Sequence, residues 1–92
     1  MEKHWVVYML QCKDASLYTG ITDDLHRRLE AHSAGKGAKY TRGRGPLTLR
    51  YLENCESHSH ALKREAAIKR LTRQQKLELC RSFESYSGGN DR

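Results

Sequence analysis

Two runs of strand-forming residues, Trp5-Val6-Val7-Tyr8-Met9-Leu10-Gln11-Cys12 and Leu17-Tyr18-Thr19-Gly20-Ile21, lie close together, separated only by Lys13-Asp14-Ala15-Ser16. The first is rich in β-branched and aromatic side chains and holds neither glycine nor proline, so it reads as a largely buried strand. The polar break is of hairpin length and too short for a parallel crossover, which makes the second strand antiparallel to the first. Side chains alternate faces along a strand, so the hairpin register decides whether Tyr8 and Tyr18 share one.

Further elements follow from capping and periodicity. Thr22 or Asp23 can cap a helix in which Leu25, Leu29 and His32 fall on one face, ending near Ala34-Gly35. Arg28 projects from the flank of that stripe toward the sheet edge. Residues 35 to 46 hold four of the seven glycines and the only proline and read as a mobile loop. Residues 47 to 53 read as a third strand. Ser57 is placed to cap a helix from His58 to Arg70, with Ala61, Leu62, Ala66, Ile68 and Leu71 as its apolar contacts, and Thr72 to cap a short helix over 76 to 83. The expected fold is α+β, a small antiparallel sheet with helices packed on it in the order β-β-α-β-α-α. Residues 1 to 84 form one domain in this reading, and 85 to 92 a disordered polar tail.

Composition narrows the function. With 92 residues, 37% apolar and 30% charged, the chain suits one soluble domain. No apolar run nears the ~20 residues of a membrane span, and the N-terminus does not resemble a signal peptide, so the expected location is the cytoplasm. Cys12, Cys55 and Cys80 are an odd, widely spaced set that suggests reduced thiols. Lys plus Arg outnumber Asp plus Glu by 17 to 11. The excess is local: Lys36, Lys39, Arg42, Arg44 and Arg50 stand in a segment with no acid, which favours a polyanion partner. Tyr40 in that loop can stack or hydrogen-bond along a phosphate chain.

The five histidines lie beside no nucleophile motif, His58-Ser59-His60 brings no third metal ligand, and the Gly-rich loop is not a nucleotide-triphosphate loop. What remains is Tyr8, Tyr18, Arg28, His32 and Glu65. A phosphodiesterase needs a base for water, a cation near the phosphorane and usually a metal-bound carboxylate, and these residue types could supply all three. Each also has an ordinary structural role open to it, including a Glu65–Lys69 pair at i, i+4.

Val6-Val7-Tyr8, Tyr18-Thr19-Gly20, Arg28, His32 and Glu65, in that order, together resemble the GIY-YIG nuclease family, especially its small stand-alone members. Gly37-Ala38-Lys39-Tyr40-Thr41 and Glu65-x-x-Ile68-Lys69 extend the likeness, which covers roughly residues 4 to 80. The resemblance implies a three-stranded antiparallel sheet flanked by helices, and phosphodiester hydrolysis with one divalent metal, Mg²⁺ or Mn²⁺. It gives Tyr8 as general base, Tyr18 as a site-lining hydroxyl, Arg28 as the cation at the phosphate, His32 as a group near the substrate and Glu65 as metal ligand. A phenol with a pKa of ~10 is a poor base at neutral pH, so Arg28 and the metal are expected to lower it.

Nucleic-acid contacts are expected of Lys36, Lys39, Tyr40, Thr41, Arg42, Arg44 and Lys69, with DNA favoured over RNA and no obligate protein partner evident. One short domain offers little surface for reading a long sequence, so structured or damaged DNA is the expected substrate, in keeping with a role in DNA repair. The sequence departs from the family pattern at Val6, Val7 and Thr19, and the asparagine that many members carry has no counterpart within the domain. The alternative is a nucleic-acid-binding module that keeps the basic face without turnover.

Overall fold

The computed structural model describes residues 4–90, with side chains through Glu84. Strand β1 (Trp5–Gln11) pairs antiparallel with β2 (Leu17–Thr22) on one side and with β3 (Thr48–Cys55) on the other, giving the sheet order β2-β1-β3. Helix α1 (Leu25–Ser33) lies between β2 and β3 in sequence, and α2 (His58–Lys69) and α3 (Arg73–Asn90) follow. This is the expected α+β architecture and element order. None of the described helices is long and apolar enough to cross a membrane.

The central strand explains the lack of polar alternation in its sequence, because both its faces are covered. Val7 and Met9 join Ala61, Ile68 and Cys80 in one cluster, against α2 and α3. Val6, Tyr8 and Leu10 face the other way, with Tyr18, Leu25, Leu29, Leu49 and Leu52 around them. All three cysteines are buried free thiols.

Local signals act close to where the sequence puts them, with four corrections. The α1 cap is Asp24, whose carboxylate accepts from Arg27 N at 3.2 Å, and not Thr22 or Asp23. Strand β2 runs through Thr22, whose hydroxyl instead accepts from Asp24 N at 3.1 Å. The helix closes as expected, with Gly35 at φ +76° and bonds from Gly35 N to His32 O and from Lys36 N to Ala31 O. That pair is a Schellman motif, and its left-handed residue favours glycine.

Residues 35 to 46, expected to be mobile, are instead tied down. Lys39–Thr41 form a 3₁₀ turn, Thr41 is buried, and Arg44 O accepts from Lys13 N at 2.7 Å. On α2 the stripe facing the sheet is narrower than periodicity suggested: Ala61 and Ile68 are buried, while Leu62 and Ala66, about 100° and about 140° around the helix from Ala61, are exposed. Finally, Thr72 and Gln75 form reciprocal side-chain-to-backbone bonds of 3.1 and 3.0 Å that start α3 at Arg73. No proline interrupts it, and the helix, expected over 76 to 83, runs from Arg73 to Asn90, into the segment 85 to 92 expected to be a disordered tail. Positions 91 and 92 lie outside the described residues.

Ile68 is fully buried and Leu62 is 45% exposed. Ile68→Ala should therefore cost about 2–5 kcal/mol in denaturant unfolding, and Leu62→Ala less than about 1 kcal/mol.

Candidate active site

Tyr8 is fully buried at the middle of β1, and its partner across the ladder is Gly20. A Cβ at position 20 would come within 2.6 Å of Tyr8 Oη and 2.8 Å of its Cζ. The phenol lies across the β2 backbone, where only glycine leaves room. Tyr18 pairs with Leu10, so it stands on the same face as Tyr8, with ring centroids 6.4 Å apart. The two tyrosines of the resemblance thus converge.

His32, in the last turn of α1, reaches the same point and is 2% exposed. Its Nε2 is 2.9 Å from Tyr8 Oη and its Nδ1 is 2.8 Å from Thr41 Oγ1. Which nitrogen carries the proton follows from Thr41. The single hydroxyl proton of Thr41 goes to Ala38 O at 3.0 Å, so toward His32 the threonine oxygen can only accept. Nδ1 is therefore the protonated nitrogen, Nε2 presents its lone pair, and the Tyr8 hydroxyl donates to it. Gly37 lies so close over the ring that a Cβ there would fall onto Nδ1.

The electrostatics agree with that arrangement. Burial, and then the Arg28 charge, lower the His32 pKa and keep the imidazole neutral. Burial raises the Tyr8 pKa, and Arg28 opposes this without overcoming it. The expectation that a neighbouring cation would depress this phenol is thus corrected for the protein alone: desolvation wins, because the phenolate would sit in the dry interior. Arg28, half-buried, stands beside both phenols, and Tyr8 holds its pKa above the ordinary value against the effect of burial. Its Nε is buried with no hydrogen-bond partner among the described residues.

Glu65 approaches from α2, whose Ala61 and Ile68 pack on the opposite face of the sheet. Its charge is felt at Tyr8, and its carboxylate pairs with Lys69 at 3.3 Å. The Glu65 side chain is 20% exposed and that of Lys69 55%. Among the described residues no group of three or more His, Cys, Asp or Glu is placed to hold a metal. A single carboxylate still suits Mg²⁺, which keeps several waters and takes substrate phosphate oxygens as ligands.

Of the residues expected to meet nucleic acid, Lys36, Lys39, Arg42 and Lys69 are exposed. Tyr40 stacks on Tyr18 with centroids 5.9 Å apart and carries the Arg44 guanidinium 4.5 Å from its ring centre. Thr41 is different: at 2% exposure its hydroxyl is turned inward and engaged, so it supports His32 and does not face a phosphate. Sequence reasoning missed this role, and missed Gly37 and the Ala38 carbonyl, because nothing in the order of residues shows which side of a loop faces inward.

Comparison with known proteins places these observations. The profile described as the GIY-YIG catalytic domain matches residues 4–78. A UPF0213 protein of Clostridium perfringens is 58% identical over 76 residues, covering 83% of this chain and 82% of its own. One from Halobacterium salinarum is 54% identical over 73 residues, covering 79% and 95%. The solution structure of a protein from E. faecalis superposes with a TM-score of 0.63 at 42% identity, covering 90% of this chain and 88% of that one.

A pH dependence follows from His32. Its lowered pKa means that its contribution to stability is complete above the unfolded value of ~6.5 and is lost as pH falls from there through the lower folded value. Urea midpoints should drop between pH 7.5 and 5.5 in the wild type, and drop less in His32→Gln. Equal drops would contradict the buried neutral imidazole.

Proposed function

The chain belongs to the GIY-YIG family, and from that premise we propose that it is a metal-dependent endonuclease that hydrolyses phosphodiester bonds in structured DNA with low sequence specificity. The observation that carries this reading is the buried Tyr8–His32–Thr41 chain of hydrogen bonds beside the Arg28 guanidinium.

The chain resolves a difficulty with tyrosine as a base. A phenol of raised pKa is seldom a phenolate at neutral pH, but it need not become one. Tyr8 is fully buried in the protein alone, so substrate binding must open the site to a water at Tyr8 Oη. That water can give its proton to the phenol oxygen while the phenol passes its own proton to His32 Nε2. Tyr8 ends neutral as it began, hydroxide attacks phosphorus, and the proton rests on an imidazolium whose Nδ1–H is held by Thr41. Arg28 meets the charge that develops on the phosphorane oxygens, and its Nε, without a hydrogen-bond partner among the described residues, is a donor available to them. Tyr18 and Tyr40 wall the site. Glu65 is the residue that would hold a divalent ion, which when bound supplies Lewis acidity at the phosphate. Lys69 must yield the carboxylate for this to happen.

The Glu65–Lys69 pair favours the second reading, a binding module without turnover, since it leaves the carboxylate already neutralised. Supercoiled plasmid and branched DNA, incubated with Mg²⁺ or Mn²⁺, separate the two readings. Cutting should fall about 10²- to 10⁴-fold in Tyr8→Phe, and should be lost in Arg28→Ala and Glu65→Gln while Glu65→Gln still binds DNA. Cleavage that persists in both of the latter would belong to a contaminant. Binding by the wild type without any cutting would favour the module.

Thr41→Val should lower turnover by about 10- to 100-fold, the usual cost of losing an outer orienting hydrogen bond, with DNA affinity unchanged. Thr41→Ser should restore it. Nitrogen-15 chemical shifts should report the Nδ1–H tautomer of His32 in the wild type and in Thr41→Ser, and a mixture of tautomers in Thr41→Val.

A further inference from the structure

Cations from separate parts of the chain meet at the β1–β2 turn. Ser16, Leu17, Tyr40, Arg73 and Lys76 line a cleft of about 200 Å³. A second depression, of about 580 Å³, is lined by Lys13, Asp14, Arg42, Gly43 and Arg44. The two are joined through the Arg44–Tyr40 contact and through Asp14, which accepts from Ser16 and pairs with Arg44. The local acid is thus engaged. Arg73, by contrast, is held by a neutral acceptor, donating to Ala15 O at 2.9 Å, so that contact positions the guanidinium without cancelling its charge.

We propose that this basic groove binds the phosphates of the nucleic-acid strand flanking the scissile bond, with Arg73 and Lys76 as their principal cations. The placement follows from Tyr40, which lines the cleft and stacks on Tyr18 of the active site. A strand whose reacting phosphate lies at Arg28 and Tyr18 passes Tyr40 and arrives between the turn and α3. An open row of cations running through both depressions suits a polyanion. The inference deepens the nuclease reading and rests on it.

The test is fluorescence anisotropy with a labelled single-stranded oligonucleotide, in EDTA so that nothing is cut, between 50 and 200 mM salt. Arg73→Gln/Lys76→Gln should reduce the slope of log affinity against log salt by about 1.4, or about sevenfold less affinity lost across that range, at about 0.7 per phosphate contact. Lys76→Gln, which keeps the Arg73–Ala15 bond, should reduce it by about half as much. Lys63→Gln/Arg81→Gln removes the same charge from exposed positions outside the cleft and should leave the slope unchanged. An unchanged slope in Lys76→Gln, or an equal fall in the Lys63/Arg81 control, would overturn the groove. A wild type that binds with the expected slope changes but never cuts with added metal would uphold the groove and remove the nuclease reading.

Discussion

A hydroxyl buried at the centre of a sheet must find a partner, and that of Tyr8 organises half of this molecule. An unsatisfied hydroxyl in the interior costs on the order of 1–3 kcal/mol, and the side chain that meets this one at 2.9 Å is His32. For His32 to reach it, α1 must lie over β1 and β2 with its last turn pointing inward. For the imidazole to accept rather than donate, its other nitrogen must carry the proton, which brings in Thr41 and with it the 3₁₀ turn. Gly20 makes room beneath the phenol and Gly37 makes room above the imidazole. Residues from β1, β2, α1 and the loop before β3 thus serve one hydrogen-bonded chain.

The sheet separates this chemistry from its support. On one face Val7 and Met9 meet α2 and α3 through a compact apolar cluster, and there the protein resembles any small α+β domain. On the other face tyrosines, a histidine and an arginine are held with their polar atoms turned toward each other. Burial acts on them in opposite senses that suit the proposed chemistry: it keeps His32 free of a proton and Tyr8 in possession of one. Glu65 joins the two halves, since it stands on the scaffold helix while its charge reaches Tyr8. In the protein alone its charge is met by Lys69.

How much of this was legible in the sequence depended on the range of the cause. The strands, the Ser57 and Thr72 caps and the Gly35 stop are local, set by a residue's own conformational preferences, and they stood near their expected positions. The first cap moved from Thr22 or Asp23 to Asp24 because the sheet held the chain extended through Thr22, one residue further than propensity alone indicated. Leu62 looked like core on periodicity but is exposed, because a single layer of strands covers only a narrow stripe of α2. The glycine-rich segment looked mobile by composition, and tertiary bonds from Thr41 and Arg44 pin it.

By itself the sequence determined the α+β class, the antiparallel hairpin, the set of residues that resembles a nuclease site and the basic loop, since each is written in local residue types and their order. Only the tertiary structure decided that Thr41 faces His32 and not solvent, which imidazole nitrogen carries the proton, and that burial outweighs Arg28 at Tyr8. It alone also brought Lys13, Arg73 and Lys76 into line with Tyr40. These depend on distances between segments remote in the chain and on the exclusion of water between them, and neither exists until the sheet and helices have closed.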